Sequence, residues 1–164
     1  MLVFRLAKIA TIAALAAFAF IVTYDNIVDY SSNYDFVAHT LSMDTTFPNN
    51  ALMHRAITDK RVWTAAYAAI IATEGLTWLL LAVGALALLA RLRSPAEHFN
   101  RAKTWAVAGL TLGFCLWFCG FLVVAGEYFA MWQSTTWNGQ ETAFRIVAVI
   151  LGVLIFVSLP DRDG

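Results

Sequence analysis

The chain has 164 residues, of which 60% are hydrophobic and 13% are charged. Soluble domains are about 45–50% apolar and about 25% charged, so this composition indicates a protein whose solvent is lipid. Eleven Lys and Arg balance eleven Asp and Glu, which leaves no excess of positive charge to neutralise the phosphates of a nucleic acid.

Four apolar stretches are long enough to cross a bilayer. A membrane helix needs about 20 mostly apolar residues, and in lipid each helix satisfies its own backbone polar groups. The sequence therefore predicts an all-α membrane protein, a four-helix bundle that forms one domain over residues 1–164. The expected spans are residues 6–28, 62–91, 104–126 and 140–160.

The first apolar stretch allows two interpretations. Arg5 and Lys8 make its start positively charged, as in a signal peptide, and Ala17-Phe18-Ala19 resembles a signal-peptide cleavage site. It is therefore either a cleaved signal peptide or a retained signal-anchor helix, and we expect the second.

Basic residues are unevenly distributed between the two sides of these spans. The N-terminal tail, segment 91–103 and the C-terminal tail together carry seven Lys and Arg, whereas segments 25–61 and 127–145 carry four. Those two segments also carry seven Asp and Glu. Because cytoplasmic loops are enriched in Lys and Arg, we expect both termini in the cytoplasm.

The two outer segments, 29–61 and 127–139, are named the outer cap. The first contains two stretches, one before Pro48 and one after it, that are typical of short amphipathic helices lying in the interface. The second is expected to place an aromatic belt at headgroup depth, formed by Tyr128, Trp132 and Trp137.

Glu74 lies near the middle of the second predicted span. A charge there costs about 2.5–3.5 kcal/mol on insertion scales, so we expect Glu74 to face the protein interior. Thr73 and Thr77 are local candidate partners, and Thr23 or Thr111 could reach it from neighbouring helices. Glu74 is therefore either a proton or substrate site, or a carboxyl group that joins two helices through hydrogen bonds.

The histidines lie outside the predicted spans, so the paired intramembrane histidines of a b-type haem are missing. His39 and His54 share one outer region with three acids, Asp25, Asp29 and Asp44. This combination would suit a mixed nitrogen–oxygen metal site, but the spacing is not that of a metal motif. We expect polar interface residues rather than metal ligands.

Two cysteines, Cys115 and Cys119, share one face of the third span. Two thiols on one helix do not complete a metal site, and small residues at such positions commonly pack against neighbouring helices. The sequence therefore predicts no catalytic residue, no metal and no cofactor.

Arg145 opens the fourth span and is the only basic residue of segment 127–145. An unpaired charge at that depth would be costly. We therefore expect it to bond a backbone carbonyl of the outer cap or one of the nearby acids: Asp25, Asp29, Asp35 and Glu127. The alternative is that its long side chain reaches up to the headgroups.

Several specific segments resemble one known family. They include Asp29-Tyr30-Ser31-Ser32-Asn33, Ile71-Ala72-Thr73-Glu74, Phe99-Asn100-Arg101-Ala102-Lys103 and Met131-Trp132-Gln133-Ser134. Together they resemble the uncharacterised "domain of unknown function 2165" family of predicted small integral membrane proteins of bacteria. The resemblance implies a four-span protein of the bacterial inner membrane, and it brings no activity, substrate or catalytic residue.

Three functions are compatible with this sequence. The first is an accessory or scaffold subunit of a larger membrane complex, recognised through the outer cap by other membrane subunits or by a second copy of the chain. The second is a small proton-coupled carrier that uses Glu74. The third is a quinone- or lipid-linked redox protein with an outer site near Asp25, Asp29, His39 and Glu127. We expect the first, because no cofactor or catalytic set is recognisable.

Overall fold

Every regular element of the protein's structure, a computed structural model that describes residues 2–163, is a helix or a helical turn. Its α-helices are α1 (Leu2–Val28), α2 (Tyr30–Ser42), α3 (Lys60–Ala90), α4 (Ala96–Ala102), α5 (Thr104–Cys115) and α6 (Gln140–Ser158). From Leu116 to Tyr128, α5 continues as a π-helix. Single 3-10 turns occupy Met53–Arg55 and Met131–Gln133.

Four helices of the described chain are long and apolar enough to cross a membrane. They are Leu2–Val28, Lys60–Ala90, Ala96–Tyr128 and Gln140–Ser158. This arrangement confirms the predicted all-α fold with four spans. The third apolar segment starts earlier than expected, at Ala96, because the short helix α4 leads directly into α5.

The first outer loop has a helix and a turn where two short helices were expected. Helix α2 follows α1 after a single non-helical residue, Asp29. The residue that caps its end, Met43, has the left-handed conformation, with φ of 55°. Beyond Pro48 the chain forms only the 3-10 turn. The side chain of Asp59 then caps α3 by accepting a hydrogen bond of 2.9 Å from the backbone N–H of Arg61.

Small residues let the spans approach closely. The backbone of α3 at Gly84 lies directly against Ala106 of α5, and Gly109 of α5 lies against Leu81 of α3. Buried apolar side chains from α1, α3, α5 and α6 fill the core around these contacts: Ile12, Leu81, Leu88, Leu110, Val147 and Val157. Close backbone approach of this kind is typical of packed membrane helices.

The start of α1 and residues 159–163 meet at one end of the bundle, where Lys8 pairs with Asp161. Arg5 of α1 donates a hydrogen bond of 2.7 Å from Nη1 to the carbonyl of Ser94, and Asn100 and Asp161 exchange two hydrogen bonds between side chain and backbone. We name this end, formed by residues 2–8, 91–103 and 159–163, the terminal face. The outer cap lies at the opposite end, and its position outside the cytoplasm stays a prediction.

Candidate functional site

Glu74 is buried inside the bundle, with 2% of its surface exposed. Its Oε2 accepts a hydrogen bond of 2.7 Å from the Nδ2 of Asn26, which lies near the end of α1. Both side chains are buried. The pair therefore joins α1 to α3 in a region of low dielectric, where a hydrogen bond is strong and an unpaired polar group is costly.

Asn26 is in turn held by two further residues. Its Oδ1 accepts a hydrogen bond of 2.6 Å from the Nδ2 of Asn33 on α2, and its backbone carbonyl accepts one of 2.9 Å from the hydroxyl of Tyr67 on α3. The Tyr67 ring packs edge-on against Tyr30, with the centroids 4.7 Å apart. The network thus fixes the orientation of Asn26 on α1 through partners on two other helices, α2 and α3.

The threonines expected to contact Glu74 form other bonds. Thr23, Thr73 and Thr77 each donate to the carbonyl four residues earlier in their own helix. Asn26 was missed as the partner of Glu74, because Asn26 lies at the polar end of the first apolar stretch. The signal that could have found it is the buried face of α1, since Ile12, Ala16, Ala19 and Asn26 follow one another at helical spacing.

A cavity of about 480 Å³ lies beside Glu74, between α1, α2, α3, α6 and the π-helical part of α5. Much of its wall is apolar and aromatic. The polar and charged residues of the wall are Asn26, Asn33, Tyr67, Glu74, Thr142 and Arg145. Small-molecule sites are commonly apolar clefts of about 300–1,000 Å³ with a few convergent polar groups. The cavity therefore has the size and chemistry of a binding site.

The cavity adjoins a groove between α1 and α6. The groove has a volume of about 410 Å³ and an apolar lining. Phe18, Arg145 and Ile146 belong to the walls of both volumes. The groove runs between two of the helices that are long and apolar enough to cross a membrane, so in a bilayer it would open towards lipid.

The outer cap is one ordered unit built from two distant segments. The Thr45 hydroxyl donates a hydrogen bond of 2.8 Å to Ser134 Oγ, and the backbone N–H of Phe47 donates one of 3.1 Å to Gln133 Oε1. Arg55 donates from Nη1 to the carbonyl of Tyr128 at 3.0 Å. A small buried cluster of Met43, Phe129 and Ala130 lies under these contacts.

Aromatic side chains are exposed on this cap. Phe47 and Trp132 contact each other edge to face, with ring centroids 5.7 Å apart, and they are 54% and 47% exposed. The guanidinium of Arg55 lies over the ring of Tyr128, 4.7 Å from its centroid. Trp137 stacks on His39, with the ring centroids 4.7 Å apart, and its place in an aromatic belt stays a prediction.

The other predicted cap residues are only partly brought together. His39 Nδ1 lies 2.8 Å from Asp44 Oδ2, whereas His54 contacts the carbonyl of Ala51. Asp29 accepts a hydrogen bond from Ser32, and Asp25 and Glu127 are exposed. Within residues 2–163 no three His, Cys, Asp or Glu side chains are grouped so that they could hold a metal ion. The cysteines Cys115 and Cys119 are free and exposed.

The expected partners of Arg145 were wrong. Arg145 forms an ion pair with Glu141, one turn earlier on α6, and both side chains are exposed. A carboxylate four residues before an arginine on the same helix face is close enough to pair with it without any tertiary contact. Arg145 therefore has a local partner and contributes its side chain to the cavity wall.

Comparison with known proteins gives one match. A model of the family described as predicted small integral membrane protein (DUF2165) matches residues 4–160. No curated protein and no solved structure matches the chain.

Proposed function

We propose that this chain, which belongs to the family of predicted small integral membrane proteins (DUF2165), is an accessory subunit of a larger complex in the bacterial inner membrane. The chain is an integral membrane protein with four apolar helices. The observation that carries the proposal is the outer cap, where segments about 90 residues apart hold Phe47 and Trp132 together on an exposed surface.

The chemistry of this surface supports a protein partner. Aromatic residues, Met and Arg are enriched at protein interfaces, and a few Trp, Tyr and Arg side chains commonly dominate the binding energy. The outer cap exposes Phe47, Met53, Tyr128 and Trp132, with Arg55 over the Tyr128 ring. Because hydrogen bonds already hold the backbone beneath them, little additional ordering is needed when a partner binds.

The charge distribution supports the location. The terminal face carries seven Lys and Arg against three Asp and Glu, whereas segments 25–61 and 127–145 carry four against seven. By the positive-inside rule, this asymmetry supports a cytoplasmic terminal face and an outer cap on the opposite side of the membrane. A partner subunit would therefore contact the outer cap from that side or from within the bilayer.

Native electrophoresis of membranes from the chain's own host, solubilised in mild detergent, tests the proposal. We expect the wild-type chain to migrate in a discrete complex larger than a monomer. The double variant Phe47→Ala/Trp132→Ala is expected to migrate as the free chain, since truncation of one interface hot spot costs about 2 kcal/mol or more.

A matched control separates recognition from a general loss of aromatic surface. Trp105 is 52% exposed on α5, near the terminal face, and Trp105→Ala should leave the complex intact. A wild-type chain that migrates alone as a monomer would overturn the proposal. So would a complex that persists unchanged in the double variant.

The cavity favours a second candidate, a proton-coupled carrier of a small cationic or lipophilic molecule. The specific observation is the buried Glu74 carboxyl on the wall of a volume of about 480 Å³ that adjoins a lipid-facing groove. A carboxyl group in such a place is able to hold either a proton or a cation.

Transport in proteoliposomes tests this candidate. Under an imposed proton gradient, a carrier would move a lipophilic cation such as a tetraphenylphosphonium probe, and Glu74→Gln should abolish that movement while the protein remains folded. Glu97→Gln is the control, since Glu97 is exposed and does not belong to the cavity wall. Equal flux in wild type and Glu74→Gln would exclude a carrier that depends on Glu74.

A further inference from the structure

A dense cluster of charge lies at the terminal face, away from Glu74 and the outer cap. The Asp161 carboxylate forms ion pairs with two lysines. Its Oδ2 lies 2.6 Å from Lys103 Nζ and 2.7 Å from Lys8 Nζ. Arg5 approaches from the other side, its Nε 3.8 Å from Oδ1. All four side chains are buried. Three cations therefore share one buried anion.

This cluster leaves positive charge without a full counter-charge. Backbone carbonyls supply part of the compensation: Arg5 donates to Leu92 and Ser94, and both lysines donate to Leu159. Even so, the Arg5 Nε is buried and has no hydrogen-bond partner among residues 2–163. Buried charges are stable only when they are paired and hydrogen-bonded. The excess favours a second anion close to Arg5.

An open pocket lies beside this cluster. It has a volume of about 430 Å³, and Arg5 forms part of its wall. Arg93 and Arg162 add two guanidinium groups to the same wall, and Asp163 is the one acid among its lining residues. Asp163 is already engaged, because its Oδ1 accepts a hydrogen bond of 2.8 Å from the backbone N–H of Ala96.

We propose that this pocket, between the start of α1, segment 92–95 and the C-terminal tail, binds a phosphate group. Guanidinium groups match the geometry of phosphate oxygens and bind them with paired hydrogen bonds. Basic pockets between membrane helices are suited to the headgroups of anionic lipids. The phosphate comes from such a headgroup or from free phosphate, and the experiment below distinguishes the two sources. The site is independent of the function assigned to the outer cap.

Native mass spectrometry of the full chain in detergent measures the binding directly. Phosphatidylglycerol, phosphatidylcholine and inorganic phosphate are titrated separately. For a lipid headgroup we expect one phosphatidylglycerol per chain to be retained, with weaker retention of phosphatidylcholine. Binding of inorganic phosphate without retention of phosphatidylglycerol would identify the free anion as the ligand and still support the site. Competition between the two would show that they occupy the same pocket.

Three variants test the residues. Arg93→Gln/Arg162→Gln removes two exposed guanidinium groups and should weaken binding about 25-fold, since each basic group near an anionic headgroup contributes about a factor of five. Arg101→Gln is the control, because Arg101 is exposed at the same face but pairs with Glu97 outside the pocket. Asp163→Asn keeps a hydrogen-bond acceptor, removes a negative charge and should tighten binding about fivefold.

The opposite signs expected for the arginine and Asp163 variants separate a specific site from general damage. Equal weakening by Arg101→Gln and by the double variant would overturn the proposal, because it would indicate a diffuse attraction to the whole face. Absence of retained phosphatidylglycerol together with absence of phosphate binding would overturn it as well.

Discussion

A close approach of the α3 and α5 backbones predicts a large effect for one methyl group. At Gly84 of α3, an added Cβ would lie 2.6 Å from the backbone N of Ala106 and 2.7 Å from its Cα. Carbon atoms pack best at about 3.5–4.0 Å, so Gly84→Ala would force α3 and α5 apart by about an ångström. Backbone atoms cannot rotate away as a flexible side chain can.

The cost follows from that separation. Inserting a methyl group into a packed core costs about 1–3 kcal/mol, and the upper end applies here because the clash is with backbone. For a chain of this size, about 3 kcal/mol corresponds to a loss of about 6–12 °C in melting temperature. Thermal unfolding in mild detergent, followed by the loss of helical circular dichroism or of monodisperse protein, measures the shift.

Gly152→Ala provides the matched control. Gly152 lies in α6, and a Cβ built there meets no atom of residues 2–163 within 4 Å apart from its chain neighbours and the nearby backbone of its own helix. The same substitution should therefore be neutral or should stabilise the helix by up to about 1 kcal/mol. If Gly84→Ala melts at the wild-type temperature, or if both variants shift equally, the packing of α3 against α5 described here is wrong.

Three other variants give further predictions. Asn26→Ala should lower stability by about 1–2 kcal/mol, and most of this cost should vanish in a Glu74→Leu background, which a double-mutant cycle of melting temperatures would measure. Burial opposes ionisation of Asp161, but its two lysine partners outweigh this effect and hold the pKa of the carboxyl below its ordinary value. The contribution of the ionised Asp161 to the free energy of unfolding is therefore complete above about pH 4 and is lost as pH falls through the lowered pKa. The melting temperatures of the wild type and of Asp161→Asn should differ at about pH 7 and converge in stronger acid. Finally, in a cysteine-free background, Thr135→Cys should react with an impermeant thiol reagent added outside the cell and Glu97→Cys should not; reversed labelling would contradict the predicted orientation.

The spans were predictable because hydropathy reports directly on lipid contact. A charge-free stretch of about 20 residues has few alternatives in a bilayer, and all four apolar helices lie where the sequence placed them. The ends of the spans were harder to predict: helix α4 extends the third apolar segment back to Ala96. Helix ends depend on caps and on the next element rather than on hydropathy.

The contacts of individual side chains were harder to predict. The cost of a charge in lipid explains why Glu74 is expected inside, but its partner depends on how α1 and α3 rotate against each other. That rotation places Asn26 beside Glu74, while the threonines bond to their own helices. Similarly, nothing local in the sequence links Thr45 to Ser134, whose hydrogen bond joins positions 89 residues apart.

For Arg145, a partner that was close in the sequence was overlooked. Its expected partners were acids from distant segments, whereas the structure pairs it with Glu141 in its own helix. The spacing of four residues was visible in the sequence, and a local pair is favoured because forming it requires no tertiary arrangement. For a charged residue near a helix end, an oppositely charged residue four positions away in the same helix is therefore the first partner to expect.

Photo-crosslinking in intact cells tests most directly whether the outer cap binds another protein. A photoreactive amino acid replaces Phe47 in one strain and Trp105 in another, and the products are resolved by denaturing electrophoresis and mass spectrometry. We predict a discrete crosslinked protein from position 47 that is absent from position 105. If position 47 yields only lipid adducts, as a residue of an aromatic belt at headgroup depth would, the account of the outer cap as a recognition surface is contradicted.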